Sequence, residues 1–220
     1  VIETWKSKEM FRCYIAYYNM VIAKESKTGL CMLTGENVPL TELHAKNIFP
    51  LQSGAKLVSA NDKTEYTFRG TFVKNAEDLL TIGYEASQKS HNMLRWLLNN
   101  FGIIAGNEMF VYWNPNGRYV PSPFEDRKEG EEIISDRETL YRNIFESTED
   151  SLSSTDCIVI AAFKAMTTGR LALAYYSETP GNDFVAKLEK WKESFTGAKW
   201  IPSIYMVSKY VYGSERNERI

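Results

Sequence analysis

The sequence predicts an α+β fold: a mixed or antiparallel sheet with packed helices and an acidic mobile insertion. Three observations carry this. Residues 78–100 hold apolar side chains at helical spacing. The runs FVYW (110–113), CIVIAAF (157–163) and RLALAYY (170–176) read as buried strands, the last two joined by a Gly-containing turn. Residues 121–155 are polar and acidic, and bury too little to offset the entropy of ordering them.

Taken in order, residues 1–24 mix aromatics and aliphatics, and FRCYIAYYNMVIA reads as a buried strand, with a helix as the other option. Glu25 to Gly29 then forms a turn and Leu30 to Leu33 a second strand, which makes a hairpin with Trp5, Phe11, Tyr14, Tyr17 and Tyr18 in the core. Thr34-Gly35-Glu36 and Gln52-Ser53-Gly54-Ala55 are turn chemistry. Short strands are expected at 57–59 and 64–73. Asn75 or Asp78 is expected to cap the helix that runs to Asn100, where Asn99, Asn100 and Gly102 suit a left-handed ending. Asn114-Pro115-Asn116-Gly117 is a turn, and 136–145 a short helix within the insertion. Pro180 to Asp183 leads into a helix with Phe184, Leu188, Trp191 and Phe195 on one face, and Pro202-Ser203 opens another over 202–213. The domain reading is a strand-rich region with binding loops and a long helix over 1–120, the insertion over 121–155, and a hairpin plus helices over 156–220 in the same domain as the first.

With 220 residues and 44% hydrophobic content the chain has ample core. Its 26 basic and 28 acidic side chains give no global field of the kind a nucleic-acid protein advertises. The distribution is uneven: net +3 over residues 1–75, −7 over 76–150 and +2 over 151–220. Three widely spaced cysteines form no disulfide framework and fit a reducing, cytoplasmic setting. No apolar run approaches a membrane span and no signal peptide is present. The start at Val1 and the charged end at Ile220 suggest a piece of something longer.

Catalytic and metal signals are weak. Cys31, His44 and the TGE turn resemble half of a zinc ribbon, but no Cys-x-x-Cys or His-x-His pair exists, so no metal and no cofactor is expected. A nucleophile would need His44 or His91 as base, and neither lies near a nucleophile-elbow pattern. A small hydrolase using Cys31 or Cys157 with His44 is the weakest reading. The acidic residues lack two-metal spacing, and no phosphate-binding Gly-rich loop occurs.

The informative stretch is 31–70. No Asp or Glu falls between Glu42 and Asp62, and Lys46, Lys56, Lys63, Arg69 and Lys74 alternate with Gln52, Ser53, Ser59, Asn61 and Tyr66. Cations contact phosphates without reading sequence, while Asn and Gln amides pair with base edges. Lys89 and Arg95 on the polar face of the long helix extend that surface. A solvated connection between packed halves is the competing reading.

The segments CMLTGENVPLTELHAK, SGAKLVSANDKTEYTFRG, IGYEASQKSHNMLRWLL and FVYW, in this order, resemble the large subunit of the type I-C CRISPR surveillance complex (Cascade). MTTGRLALAYYSETPGNDFVAKLEKW resembles that family's strand–turn–strand and Trp-containing helix. The similarity covers roughly residues 30–113 and 157–200. Family members tend to carry an aromatic where Ala60 stands, and a serine-tyrosine-glycine run where this chain has Phe68-Arg69-Gly70. The resemblance implies a non-catalytic subunit that reads a protospacer-adjacent motif in duplex DNA and stabilises the opened strands. Its partners would be the target DNA, guide RNA, other Cascade subunits and a recruited helicase-nuclease, with pairing to guide RNA reading the target itself. Gln52, Ser53 and Asn61 are then the candidate motif readers. Lys56, Lys63 and Arg69 face phosphates, with Lys89 and Arg95 as lesser contacts. A structural docking subunit that touches DNA little is the alternative.

Overall fold

The computed structural model describes residues 4–59, 70–73, 80–105, 107–121, 127–128, 152, 155–195 and 200–201. Among these, three α-helices, α1 (Lys8–Glu25), α2 (Tyr84–Phe101) and α3 (Gly181–Glu193), accompany eight strands in three sheets. Strands β1 (Thr28–Leu30) and β2 (Asn37–Pro39) pair antiparallel, as do β5 (Arg127–Lys128) and β8 (Trp200–Ile201). The largest sheet has the order β3-β4-β6-β7, from Ile103–Ala105, Glu108–Trp113, Cys157–Thr167 and Arg170–Pro180. The fold is α+β, as expected. No helix among the described residues is long and apolar enough to cross a membrane.

The chain divides into two compact units, Val1–Met109 with Phe163–Ala172, and Phe110–Ala162 with Leu173–Ile220. In the first, α2 supplies much of the core: Leu94, Leu97, Leu98 and Phe101 recur at helical spacing and are all buried. Ile48, Phe49, Ala55, Ile82, Met109, Phe163 and Leu171 are buried with them. The β1–β2 hairpin is stitched to the residues before α2: the Met32 N–H donates to Thr81 O at 2.9 Å, and the Thr41 N–H to Ile82 O at 3.0 Å. Gly83 lets the backbones close, because an added Cβ would lie 2.7 Å from Val38 Cγ2.

In the second unit Val111, Tyr112, Val120, Ile158, Val159, Ala161, Ala162 and Phe184 are buried. Buried Asn114 organises the turn after β4. Its oxygen accepts from the N–H groups of Asn116 and Arg118 at 2.9 and 3.2 Å, and its amide donates to Cys157 O at 3.0 Å. Arg118 pairs with buried Asp156 at 3.1 Å, and the Asp156 carbonyl accepts from the Gly181 N–H where α3 begins. Gly117 has the positive φ (76°) that this turn requires.

Several expectations are corrected. The aromatic run near the N-terminus is a helix, not a buried strand, and none of its 18 residues is buried. Phe11, Tyr14 or Ile15, Tyr18 and Ile22 recur every three to four residues, and Ser7 caps the helix by accepting from the Met10 N–H at 3.3 Å. Its expected strand partner, Leu30 to Leu33, is a strand end followed by a turn, and the hairpin forms between β1 and β2 instead. No strand forms at 57–59, where only the neighbouring Lys56 makes an isolated bridge; of the strand expected at 64–73, residues 64–69 lie outside the described residues and Gly70–Phe72 is a 3-10 turn. Helix α2 starts at Tyr84, and Gly102 ends it in an extended conformation (φ −65°, ψ 133°), not a left-handed one. Strand β7 is exposed for most of its length, with Leu173, Tyr175 and Tyr176 about half accessible. It lies at the end of the strand order, so one side lacks a described neighbour. The caps at Asn75 or Asp78, the helices at 136–145 and 202–213, and nearly all of the acidic insertion lie outside the described residues.

The close packing around Gly102 gives a stability prediction. A Cβ there would run into the Leu98 carbonyl oxygen and come within 2.5 Å of Met109 Sδ. Gly102→Ala is therefore expected to destabilise the chain by about 1–3 kcal/mol in urea denaturation. An unchanged midpoint would show that the Leu98 carbonyl and Met109 both give way at no cost.

Candidate nucleic-acid interface

Residues 41–59 contain no helix or strand, yet their base is among the most buried parts of the chain: Ile48 and Ala55 are 0% exposed and Phe49 3%. Irregular backbone at that depth needs hydrogen-bond partners. Asn47 supplies one from within. It sits at φ 60°, a conformation Asn tolerates, and its side-chain oxygen accepts from the Gly54 N–H at 2.6 Å. The Ile48 N–H donates to Ala55 O and the Gln52 N–H to Phe49 O, both at 3.3 Å. Gly54, at φ 81°, completes a closed loop whose tip is Leu51-Gln52-Ser53.

Helix α2 holds the start of this stretch. Arg95 Nη2 donates to Lys46 O at 2.9 Å. His44, 8% exposed, has its Nδ1 2.9 Å from Ser87 Oγ, and the His91 ring stacks 5.8 Å away. His91 Nδ1 lies 2.6 Å from the Ser87 carbonyl, an acceptor, so that nitrogen carries the proton. Ser87 Oγ, 3.3 Å from the same N–H, then donates its own hydrogen to His44 Nδ1. Both Nε2 atoms are buried without a hydrogen-bond partner among the described residues. Burial first, then the neighbouring His91 and Lys56, holds His44 below its ordinary value of 6.5.

The other end of the loop is tied to the turn between β6 and β7. The Lys56 N–H donates to Gly169 O at 3.3 Å, and the Leu171 N–H returns to Lys56 O at 2.9 Å. Lys56 thereby forms a parallel bridge with Arg170. A Cβ on Gly54 would lie 2.8 Å from Thr168 O, so loop and turn are in direct backbone contact.

Of the candidate residues, Gln52 is half-buried with its amide donating to Ser53 O at 3.3 Å, and Ser53 is exposed beside it. Lys56 is half-buried at the bridge. Arg95 reaches the same stretch through Lys46, with its Nε buried and lacking a partner among the described residues. Lys89 lies on the exposed face of α2 in a 2.6 Å ion pair with Glu85, one turn earlier. Asn61, Lys63 and Arg69 lie outside the described residues. Sequence reasoning missed Asn47 and Ser87, and it read the Thr168–Arg170 turn only as a hairpin connection, not as part of this site. An Asn seven residues before a Gly is a usable hint for the first, while the others join segments far apart in sequence and leave no local signal.

Cys31 is fully buried and accepts from the Gly83 N–H at 3.1 Å. Burial pushes its thiol up, but the Gly83 N–H, the Thr34 hydroxyl and the N–H groups of Leu33 and Thr34 outweigh it and bring it from 9.0 to about 7. No histidine is among those donors. Among the described residues no group of three or more His, Cys, Asp or Glu side chains is placed to hold a metal ion.

What fold and loop define is an α+β scaffold that ties down a polar loop of amide, hydroxyl and ammonium groups. The family model described as CRISPR-associated protein (Cas_Csd1) matches residues 2–218, and the chain belongs to that family. No curated protein shows significant similarity to the chain.

The buried His44 imidazole sets an expected pH dependence. With the folded value of His44 depressed, the unfolded chain binds the proton more readily. Its contribution to stability is full above about 6.5, falls as pH drops below that value, and levels off beneath the folded value. Thermal melts of wild type and His44→Gln across this window check it. The wild-type stability should decline more steeply, and parallel curves would show that His44 does not titrate with unfolding.

Proposed function

We propose that this chain is a non-catalytic, DNA-recognising part of the large subunit of a type I-C Cascade complex. It reads the protospacer-adjacent motif and stabilises opened target DNA, in the cytoplasm, alongside guide RNA, other subunits and a recruited helicase-nuclease. The observation that carries this reading is the closed 47–55 loop, which presents Gln52 and Ser53 at its tip on a base fixed by buried residues. Amides and hydroxyls held this way suit base edges, and Lys56 at the loop's exit suits a phosphate. Asn61, Lys63 and Arg69 continue the same polar stretch in sequence. Lys89 and Arg95 are lesser contacts, since one is paired with Glu85 and the other holds Lys46 O.

The test is DNA binding by the complete subunit assembled with guide RNA and partners, over a salt series, on duplexes with a correct or scrambled adjacent motif. Asn61→Ala and Gln52→Ala should lower the preference for the correct motif more than they lower total affinity. Lys56→Ala should instead weaken both duplexes and flatten the salt dependence by about 0.9 in log–log slope for each phosphate no longer neutralised. A preference that survives both amide changes would move the reader out of this stretch.

Helix α1 favours a second role beside the first, docking onto protein neighbours. Met10, Phe11, Tyr14, Ile15 and Tyr17 are each more than half exposed, and apolar helix faces of this width are normally covered. Tyr14→Glu with Tyr17→Glu is expected to impair assembly of the complex, while complexes that do assemble keep wild-type motif preference. Native mass spectrometry of the reconstituted complex reads the first, and equal assembly would remove the docking role from α1.

A further inference from the structure

The turn between β6 and β7 contains a glycine that the fold itself does not require. Gly169 is not in the left-handed region, and among the described residues an added Cβ there would meet nothing within 4 Å. Gly54, on the loop packed against this turn, differs on both counts, with φ 81° and the Thr168 carbonyl in its way. An exposed glycine with neither constraint leaves room for another backbone to approach closely. Beside it the parallel bridge sets Lys56 and Arg170 on adjacent backbone segments. Thr167 and Thr168 expose hydroxyls at the same tip, although Thr167 Oγ1 also accepts from the Gly169 N–H at 3.4 Å.

We propose that Thr168, Gly169 and Arg170, together with Lys56, form a contact for the phosphodiester backbone of a nucleic-acid strand. The inference rests on the nucleic-acid reading above and adds to it a second, sequence-independent element from a distant part of the chain. Gly169 admits the strand, and the two cations neutralise successive phosphates.

The complete subunit, assembled with guide RNA and partners, is compared as wild type, Gly169→Ala and Arg170→Gln. Three readouts are taken: melting temperature, guide-RNA retention, and duplex affinity across salt on correct and scrambled motifs. Gly169→Ala should melt at or slightly above the wild-type temperature, since its backbone suits Ala. It should nevertheless bind duplex several-fold more weakly on both motifs. Arg170→Gln should flatten the log–log salt slope by about 0.9. If guide-RNA retention falls and the duplex slope stays, the contact stands and the strand is the guide. Unchanged slope, affinity and retention in both variants overturn it. If Gly169→Ala melts early, Arg170→Gln alone decides. Motif preference is scored separately: a flattened slope here with intact preference in the Asn61 and Gln52 variants would keep this contact and reject the motif readers, and the reverse result would do the opposite.

Discussion

An irregular stretch of backbone inside a packed unit has to find hydrogen-bond partners, and residues 41–59 find them on three sides. The Thr41 N–H uses Ile82 O, and Arg95 reaches over from α2 to Lys46 O. Asn47 closes the loop on itself through Gly54. Lys56 borrows both ladder positions offered by Gly169 and Leu171. Each bond is worth only about 1 kcal/mol net, so it is their number that holds the loop. Ile48, Phe49 and Ala55 fill the space beneath it.

The His44–Ser87–His91 cluster has a different character. Its tautomers follow from one short contact: His91 donates to the Ser87 carbonyl, Ser87 donates to His44, and His44 is left with its proton on a buried Nε2. Charging His44 would place a second hydrogen between Nδ1 and Ser87 Oγ, so the hydroxyl would have to turn away from it. The chain of donors has no slack, because the one Ser87 Oγ lies within hydrogen-bond reach of both rings. Satisfied only in part, such a cluster stabilises less than an apolar one of the same shape would. Its service to the fold is to set the register of the loop against α2, two segments that share no strand pairing.

The parts of the fold legible in sequence were those with a strong local signal. The stripe Leu94, Leu97, Leu98 gave α2, Asn114 to Gly117 gave its turn, and Thr168-Gly169 gave the hairpin turn. The aromatic run of α1 misled because aromatic and β-branched residues favour both strands and cores, and burial is not a local property. Strand β7 misled for a related reason: RLALAYY reads as apolar much as CIVIAAF does, yet β7 lies at the end of the strand order and is exposed for most of its length. In the site, the turn residues at Gln52 to Ala55 were readable, whereas the partners that hold them, Ser87 and Gly169, come from segments that no periodicity connects.

Lys56 stands where the two kinds of contact meet. Its backbone belongs to the bridge with Arg170, and its side chain leaves the loop only a few positions after Gln52 and Ser53. Phosphate contacts set register and base contacts read sequence, and the two are useful together only if the spacing between them is fixed. On the proposed reading a strand held at Lys56 and Arg170 therefore meets the amides at a set distance, because Gly54 and Thr168 leave no gap in which the loop could slide. A loop free to shift would lose discrimination, since small displacements open polar contacts that depend on hydrogen-bond geometry. The tightness of that backbone contact is what would let a sequence-independent grip support a sequence-dependent one.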